Sequence, residues 1–309
     1  MASSVPTTNP EVLRERVRTL KKERRALILA HNYQVGEVQD AADFVGDSLE
    51  LSRKAASADA DVIVFCGVHF MAETAAILSP GRIVLIPDPK AGCPMADMIT
   101  ADDMIRWKAL YPGRAAVCYV NTSAAVKAEC DVCCTSANSV KVVDSVPGPE
   151  VLFAPDKNLA AWTATQTSKT IIPWDGYCRV HNNIRAEDIR SARKKYPGAE
   201  VWAHPECRPE VLALAHRTLS TGGMVREARA TSAEEIIVAT EATMIYRLAK
   251  ENPAKRFYPA HEMAFCANMR KITLAKLVAS LESMTHRVVV PPDIADRARV
   301  AIERMIQYG

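Results

Sequence analysis

Short apolar runs of strand length alternate along the chain with stretches in which apolar residues recur three or four apart. Ala26-Leu-Ile-Leu-Ala30 is the first such run, and it delivers His31, Asn32 and Tyr33 at its end. The helix before it starts at Asn9-Pro10, where Asn caps orphan amides and Pro suits the first helical position. It carries Leu13, Val17 and Leu20 on one face and ends near Arg25. A helical stretch is expected up to Phe44, and Gly46-Asp47-Ser48 opens another that runs through Ala56. Asp61 to Phe65 then reads as a strand, Met71 to Leu78 as a helix and Arg82 to Ile86 as a strand, with Gly92-Cys93 just beyond. Strands alternating with helices predict a parallel sheet.

The same order returns twice. Ala115 to Val120 is a strand delivering Tyr119 and Asn121, Ser136 opens a helix, and Val151 to Phe153 is the next strand. A helix over Asn158 to Thr165 leads to Ile171-Ile-Pro-Trp-Asp-Gly-Tyr-Cys178-Arg-Val-His181. That stretch reads as a short buried strand, a Gly turn, then a cysteine and a histidine just past the strand's end. In the last copy Glu200 to Ala203 delivers His204 and Glu206, and Thr221-Gly-Gly opens a helix. A strand over Glu235 to Val238, a helix over Ala242 to Lys250 and a strand over Arg256 to Tyr258 lead to Cys266. Beyond it lie a helix from Met269 through Ser280 and a final amphipathic helix with Ile294, Ala298, Ala301, Ile302 and Met305.

A period this long exceeds solenoid repeats of roughly 20–50 residues. It predicts an α/β fold of three αβα sandwich domains with parallel sheets, related by pseudo-threefold symmetry around a central site. The expected domains are 10–98, 99–182 and 183–270, with 271–309 a C-terminal helical segment packed on them. Ligands in such folds bind at the carboxyl ends of the strands, which is where the polar residues of each block fall.

Composition narrows the function classes. A net charge of +3 over 309 residues gives no electrostatic argument for nucleic acid or a membrane surface. The apolar runs fall far short of the roughly 18 residues of a spanning helix. The residues before Asn9 lack a basic region followed by an apolar core, so they read as a short disordered leader rather than a signal peptide, and the protein as cytoplasmic. Nine cysteines in such a chain argue for core packing, metal binding or catalysis rather than a disulfide scaffold. Cys66 and Cys118 lie inside strand-like runs and read as core.

Cys93, Cys178 and Cys266 follow one another at near-equal intervals in the same surroundings. Three cysteines from three domains converge only if they bind one object. An open three-thiolate site suits a catalytic zinc or a [4Fe–4S] cluster with one iron free, and the spacing does not choose between them. Three unrelated buried thiols are the alternative. Cys130-Asp-Val-Cys133-Cys134 is either redox-active or a set of partly buried thiols beside an anion-binding turn, since no second C-x-x-C completes a zinc tetrad. His31, His204 and Glu206 share equivalent strand tips and suit proton transfer, His by a near-neutral pKa and Glu by upward tuning through burial. Tyr33 and Tyr119 suit donation to a developing oxyanion. Ser48, Ser136 and Thr221 are placed at helix N-termini, where free amides favour phosphate or carboxylate. His69 and His261 have no equivalents and read as structural. On these residues alone, a zinc hydrolase using His31, His204 and Glu206, or a thiol redox module at Cys133 and Cys134, competes with a cluster enzyme.

Longer motifs carry a resemblance. Ala30-His-Asn-Tyr-Gln34, Val45-Gly-Asp-Ser-Leu-Glu50, Val64-Phe-Cys-Gly-Val-His-Phe-Met-Ala-Glu-Thr74 and Cys93-Pro-Met-Ala-Asp97 resemble the quinolinate synthase family. So do Tyr119-Val-Asn-Thr122, Trp174-Asp-Gly-Tyr-Cys-Arg-Val-His181, Ala203-His-Pro-Glu-Cys207 and Asn268-Met-Arg-Lys-Ile-Thr273. The resemblance runs in order from about Pro10 to Met305. It implies three αβα domains around a [4Fe–4S] cluster held by Cys93, Cys178 and Cys266, with one open iron acting as a Lewis acid. It implies condensation of iminoaspartate with dihydroxyacetone phosphate to quinolinate for NAD synthesis, losing phosphate and water, with a transient hand-off from an aspartate oxidase. The family's substrate site falls on His31, Tyr33, Ser48, Tyr119, Asn121, Ser136, His181, His204, Glu206 and Thr221. Tyr33 and Glu206 are the expected proton shuttles; Asn121 and His204 are expected to orient the substrate. Two departures stand out: Asn32 replaces a common Tyr, and Ser220-Thr221-Gly222-Gly223 replaces a Thr-Ser-Gly turn, which leaves the anchor open between Ser220 and Thr221.

Overall fold

One order of elements is built three times. The computed structural model describes residues 9–308; the expected leader lies outside them. The first copy runs α1 (Pro10–Glu23), β1 (Ala26–His31), α2 (Gly36–Ala41), β2 (Phe44–Gly46), α3 (Ser48–Ala56), β3 (Val62–Cys66), α4 (His69–Leu78) and β4 (Ile83–Leu85). The second runs α5 (Ala101–Leu110), β5 (Ala115–Tyr119), α6 (Ala124–Ala128), β6 (Val132–Cys134), α7 (Ser139–Ser145), β7 (Glu150–Ala154), α8 (Lys157–Ala164) and β8 (Thr170–Pro173). A short helix α9 (Arg179–Asn183) follows Cys178. The third copy is α10 (Ala186–Lys195), β9 (Glu200–Ala203), α11 (Pro209–Leu212), β10 (Arg217–Thr218), α12 (Thr221–Ala230), β11 (Glu235–Ala239), α13 (Met244–Glu251) and β12 (Arg256–Pro259), and α14 (Leu274–Ser283) and α15 (Pro292–Gln307) close the chain.

Each copy makes a four-stranded parallel sheet with the same strand order: β2-β1-β3-β4, β6-β5-β7-β8 and β10-β9-β11-β12. Helices cover the faces, so the inner strands are apolar throughout: Val62-Ile-Val-Phe-Cys66 is buried at every position. In each sheet the chain leaves the first strand towards opposite edges, which opens a crevice beyond that strand's carboxyl end. The largest core runs without a break through one face of all three sheets and α14 and α15, while α10 and α5 cover smaller cores of their own. α14 packs on α1, and α15 lies against α4, α6 and β6. Before α15 the chain pairs with the edge strand β4, through Ile86 N–H to His286 O at 3.1 Å and Val288 N–H to Val84 O at 2.8 Å, so that edge is covered. No helix among the described residues is long and apolar enough to cross a membrane.

Four local expectations change. The helical stretch placed up to Phe44 ends at Ala41, and Phe44–Gly46 is strand β2. Like β6 and β10, it is too short to show a period. The stretch before Cys178 is not a buried strand: β8 is the edge of its sheet, exposed at Thr170 and Pro173. Ser136 does not open a helix; it sits in a turn, and α7 begins at Ser139. The helix expected from Met269 is broken, because a single turn over Met269–Lys271 ends at Ile272 and Thr273 caps a new helix by accepting from Lys276 N–H.

Candidate active site

The carboxyl ends of β1, β5 and β9 place His31, Tyr119 and His204 at one level, and Tyr33, Asn121 and Glu206 two residues further on. These six line a single cavity of about 250 Å³ together with Ser48, Ser136, Thr221, His181 and the three cysteines Cys93, Cys178 and Cys266. The strand-tip side chains other than Asn121 are buried, and the cysteines are half-buried.

His31 and His204 are held alike. Nδ1 of His31 accepts the Tyr33 N–H at 3.2 Å, and Nδ1 of His204 accepts the Glu206 N–H at 3.3 Å. An acceptor at Nδ1 leaves the proton on Nε2, so both rings are fixed donors. Burial lowers both to a pKa of about 3, in contrast to the near-neutral value expected from the residue type. Glu206 also departs from expectation: burial pushes its carboxyl up, but His181 beside it outweighs that and holds it at about 2. The carboxylate takes His181 Nδ1 at 2.6 Å on one oxygen and the Tyr119 hydroxyl at 2.5 Å on the other. His181 Nε2 lies 2.8 Å from the Thr240 hydroxyl, which is 2.6 Å from the Tyr33 hydroxyl. Tyr119, Glu206, His181, Thr240 and Tyr33 therefore form one continuous proton path, in which burial and then Glu206 raise both phenols. Thr240 went unnoticed in the sequence, although it follows β11 directly, where Gly67 and Pro155 stand in the other copies.

The hydroxyl positions separate into caps and free groups. Asp47 caps α3 by accepting the Glu50 N–H at 2.9 Å, and Ser220 caps α12 by accepting the Gly223 N–H at 3.1 Å. Ser48 and Thr221 follow those caps and face the cavity. Thr221 Oγ1 is oriented by Asn32 Nδ2 at 2.8 Å, and Arg247 donates to Asn32 Oδ1 in turn. Ser136 Oγ lies 3.2 Å from His204 Nε2. Asn121 Oδ1 is buried against the cavity without a hydrogen-bond partner among the described residues, an acceptor site open to a ligand.

Each cysteine begins a helical turn. The carbonyls of Cys93, Cys178 and Cys266 accept the N–H four residues on, from Asp97, Asn182 and Arg270, at 3.3, 2.9 and 3.2 Å. Backbone N–H groups of Met95 and Ala96, of His181, and of Asn268 and Met269 are directed at the respective sulfurs. Burial pushes all three thiols up, Cys93 to about 12. Each turn is also gripped by another copy: Trp174 Nε1 donates to Met98 O at 2.8 Å, Arg208 Nε to Asn182 O at 2.8 Å, and Gln34 Nε2 to Met269 O at 3.1 Å. Cys178, His181 and Glu206 additionally bring donor atoms close enough together to hold a single metal ion. Cys133 and Cys134 lie in β6, fully buried, with Cys133 Sγ 3.4 Å from Cys118 Sγ.

The two histidines and Glu206 make the metal-free protein less stable in acid, while Asp47, Asp156 and Glu241, whose carboxyls burial pushes up, act in the opposite sense. His31 and His204 take up protons near pH 3 when folded and near 6.5 when unfolded, and Glu206 near 2 against 4.5. Between those values the unfolded state binds more protons, so stability rises with pH and is lost as pH falls. The urea midpoint of the iron-free protein is expected to change more unfavourably from pH 7 to pH 5 than that of a His31→Gln, His204→Gln variant; equal changes would contradict these assignments.

Buried donors and acceptors from three parallel sheets, facing thiols and one candidate metal position, define an α/β enzyme that acts in a central crevice. The chain belongs to the family described as quinolinate synthetase A protein, whose model matches residues 15–307. It is 60% identical over 297 residues to a quinolinate synthase of Dehalococcoides mccartyi strain CBDB1, covering 96% of this chain and 98% of that one. It is similar to the quinolinate synthases of Thermodesulfovibrio yellowstonii, at 53% over 293 residues (94% and 97% covered), and Methanoregula boonei, at 50% over 295 residues (96% and 98%).

Proposed function

We propose that the chain is a quinolinate synthase, condensing iminoaspartate with dihydroxyacetone phosphate in NAD biosynthesis, with loss of phosphate and water. The observation that carries this is the convergence of strand tips and cysteines from all three copies on one cavity, in a chain of that family. A cytoplasmic location and a hand-off from an aspartate oxidase belong to the same reading.

The donor set fits a [4Fe–4S] cluster with one free iron: three thiols on separate loops, each with backbone N–H groups directed at its sulfur. Cys93, Cys178 and Cys266 would hold it, and when bound it supplies a Lewis acid at the open iron. The protein's own residues do the rest. Ring formation removes protons from carbon and delivers them to departing oxygens, which needs a base and donors within one water-poor site. Glu206, ionised in the resting site, accepts a proton and passes it along the hydroxyls of Tyr119 and Tyr33. His31 and His204 donate from Nε2 to substrate oxygens, and Asn121 meets a donor of the substrate. Ser48, Ser136 and Thr221 bind the carboxylates and phosphate; at α3 and α12 free helix amides assist.

A single divalent ion on Cys178, His181 and Glu206 is the competing occupant. Metal analysis separates the two. Protein isolated without oxygen is expected to contain about four iron and four sulfide per chain and to make quinolinate from iminoaspartate generated in the assay. Colourless, zinc-loaded protein without that activity would overturn the assignment.

A further inference from the structure

The third strands of the sheets, β3, β7 and β11, each lead towards a helix, directly after two residues in the first two copies and after four in the third, and the second residue past the strand is Val68, Asp156 or Glu241. Backbone bonds fix the equivalence. The next N–H, of His69, Lys157 or Ala242, donates to Ala91 O, Gly176 O or Ala264 O at 2.8, 2.8 and 2.9 Å. Those carbonyls lie two residues before Cys93, Cys178 and Cys266. The three positions therefore face the same point of three cysteine loops.

Two of them carry carboxylates with the same partner. Asp156 Oδ2 accepts the Cys178 N–H at 3.0 Å, and Glu241 Oε1 accepts the Cys266 N–H at 3.0 Å. The remaining oxygens are engaged as well. Asp156 Oδ1 takes the Leu159 N–H at 2.7 Å, and Glu241 Oε2 takes the Thr243 N–H at 2.8 Å. Both side chains are almost fully buried, 0% and 1% exposed, with no basic side chain among the described residues hydrogen-bonded to either. Burying a carboxylate is expensive, the charge of Arg270 offsets only part of that at Glu241, and a serine or threonine would cap a helix without that cost. Asp and Glu differ by one methylene, yet both reach the amide of a cysteine. Val68 does not reach out in this way; the loop before Cys93 is tied instead to the C-terminal segment, by Lys276 Nζ to Asp88 at 2.6 Å and Lys271 Nζ to Lys90 O at 2.7 Å.

We propose that Asp156 and Glu241 are positioning residues for the thiol centre, holding the backbone of Cys178 and Cys266 so that both sulfurs face the cavity before metal arrives. The inference rests on the three-cysteine cluster proposed above. The paired acceptors do the work: each carboxylate takes a cysteine N–H on one oxygen and a helix-start N–H on the other, so a carboxamide keeps one of the two bonds and a methyl neither.

The test uses full-length protein reconstituted anaerobically with iron and sulfide, and reads the rate of iron loss to a ferrous chelator and the EPR signal of the reduced protein. Asp156→Ala and Glu241→Ala are expected to lose iron about 10-fold faster or more, as outer partners of metal ligands do, with an altered EPR signal. Asp156→Asn and Glu241→Gln, which keep one acceptor oxygen for two N–H groups, are expected to lose iron no faster than the alanine variants and no slower than the parent. Folded alanine variants that keep iron as long as the parent would overturn the inference. Should an alanine variant not fold, the shortened Glu241→Asp decides, since its oxygen falls short of the Cys266 amide: parent-like iron retention there overturns the inference. A parent protein that takes up no iron would instead overturn the cluster.

Discussion

Glu206→Gln is expected to retain iron and sulfide at the parent level and to lose roughly 10²- to 10⁴-fold in kcat, the usual worth of a positioned proton-transfer group. The carboxylate is held ionised by His181 at 2.6 Å and shares its other oxygen with the Tyr119 hydroxyl, so it is the one strong acceptor on the proton path. Glutamine has the same shape and still accepts from Tyr119, but it cannot take up a proton. The three proposed ligand cysteines, each ordered by its own turn, are untouched. Iron analysis beside a single-turnover assay separates the outcomes: loss of iron in this variant would place Glu206 among the ligands, where a single ion on Cys178, His181 and Glu206 would also put it.

Cys178→Ala is expected to have the larger effect, removing both metal and activity. A three-thiolate attachment does not survive as two, and the turn that presents Cys178 has no second thiol, since His181 and Glu206 are committed to each other. Iron content should fall from about four per chain to near background. Cys133→Ala combined with Cys134→Ala should keep iron and turnover, because both side chains are buried in β6. Loss of iron in that double variant, or retention in Cys178→Ala, would move the centre away from the cavity.

Much of this site was legible because its residues terminate strands. β1, β5 and β9 are apolar runs long enough to read, and the residue after each run is polar for a reason that has nothing to do with the core. The strands β2, β6 and β10 were not legible: at two or three residues they have no period, and only pairing to a longer neighbour makes them strands. Asp156 and Glu241 carry no pattern that marks them, because their partners are cysteine amides 22 and 25 residues away in sequence. Residue type also misled on charge. A histidine is near-neutral by default, and only the burial around His31 and His204 takes them to about 3.

The three grips on the cysteine turns have a direction. The second copy holds the turn of the first through Trp174, the third holds that of the second through Arg208, and the first holds that of the third through Gln34. A row of domains joined end to end would need only the first two; the third closes a circle. Head-to-tail contact with closure is how three separate subunits assemble around an axis, so this single chain has the interface logic of a cyclic trimer whose protomers have been joined. Joining them frees each position to diverge, which is how Val68, Asp156 and Glu241 come to differ where three identical subunits would have to agree.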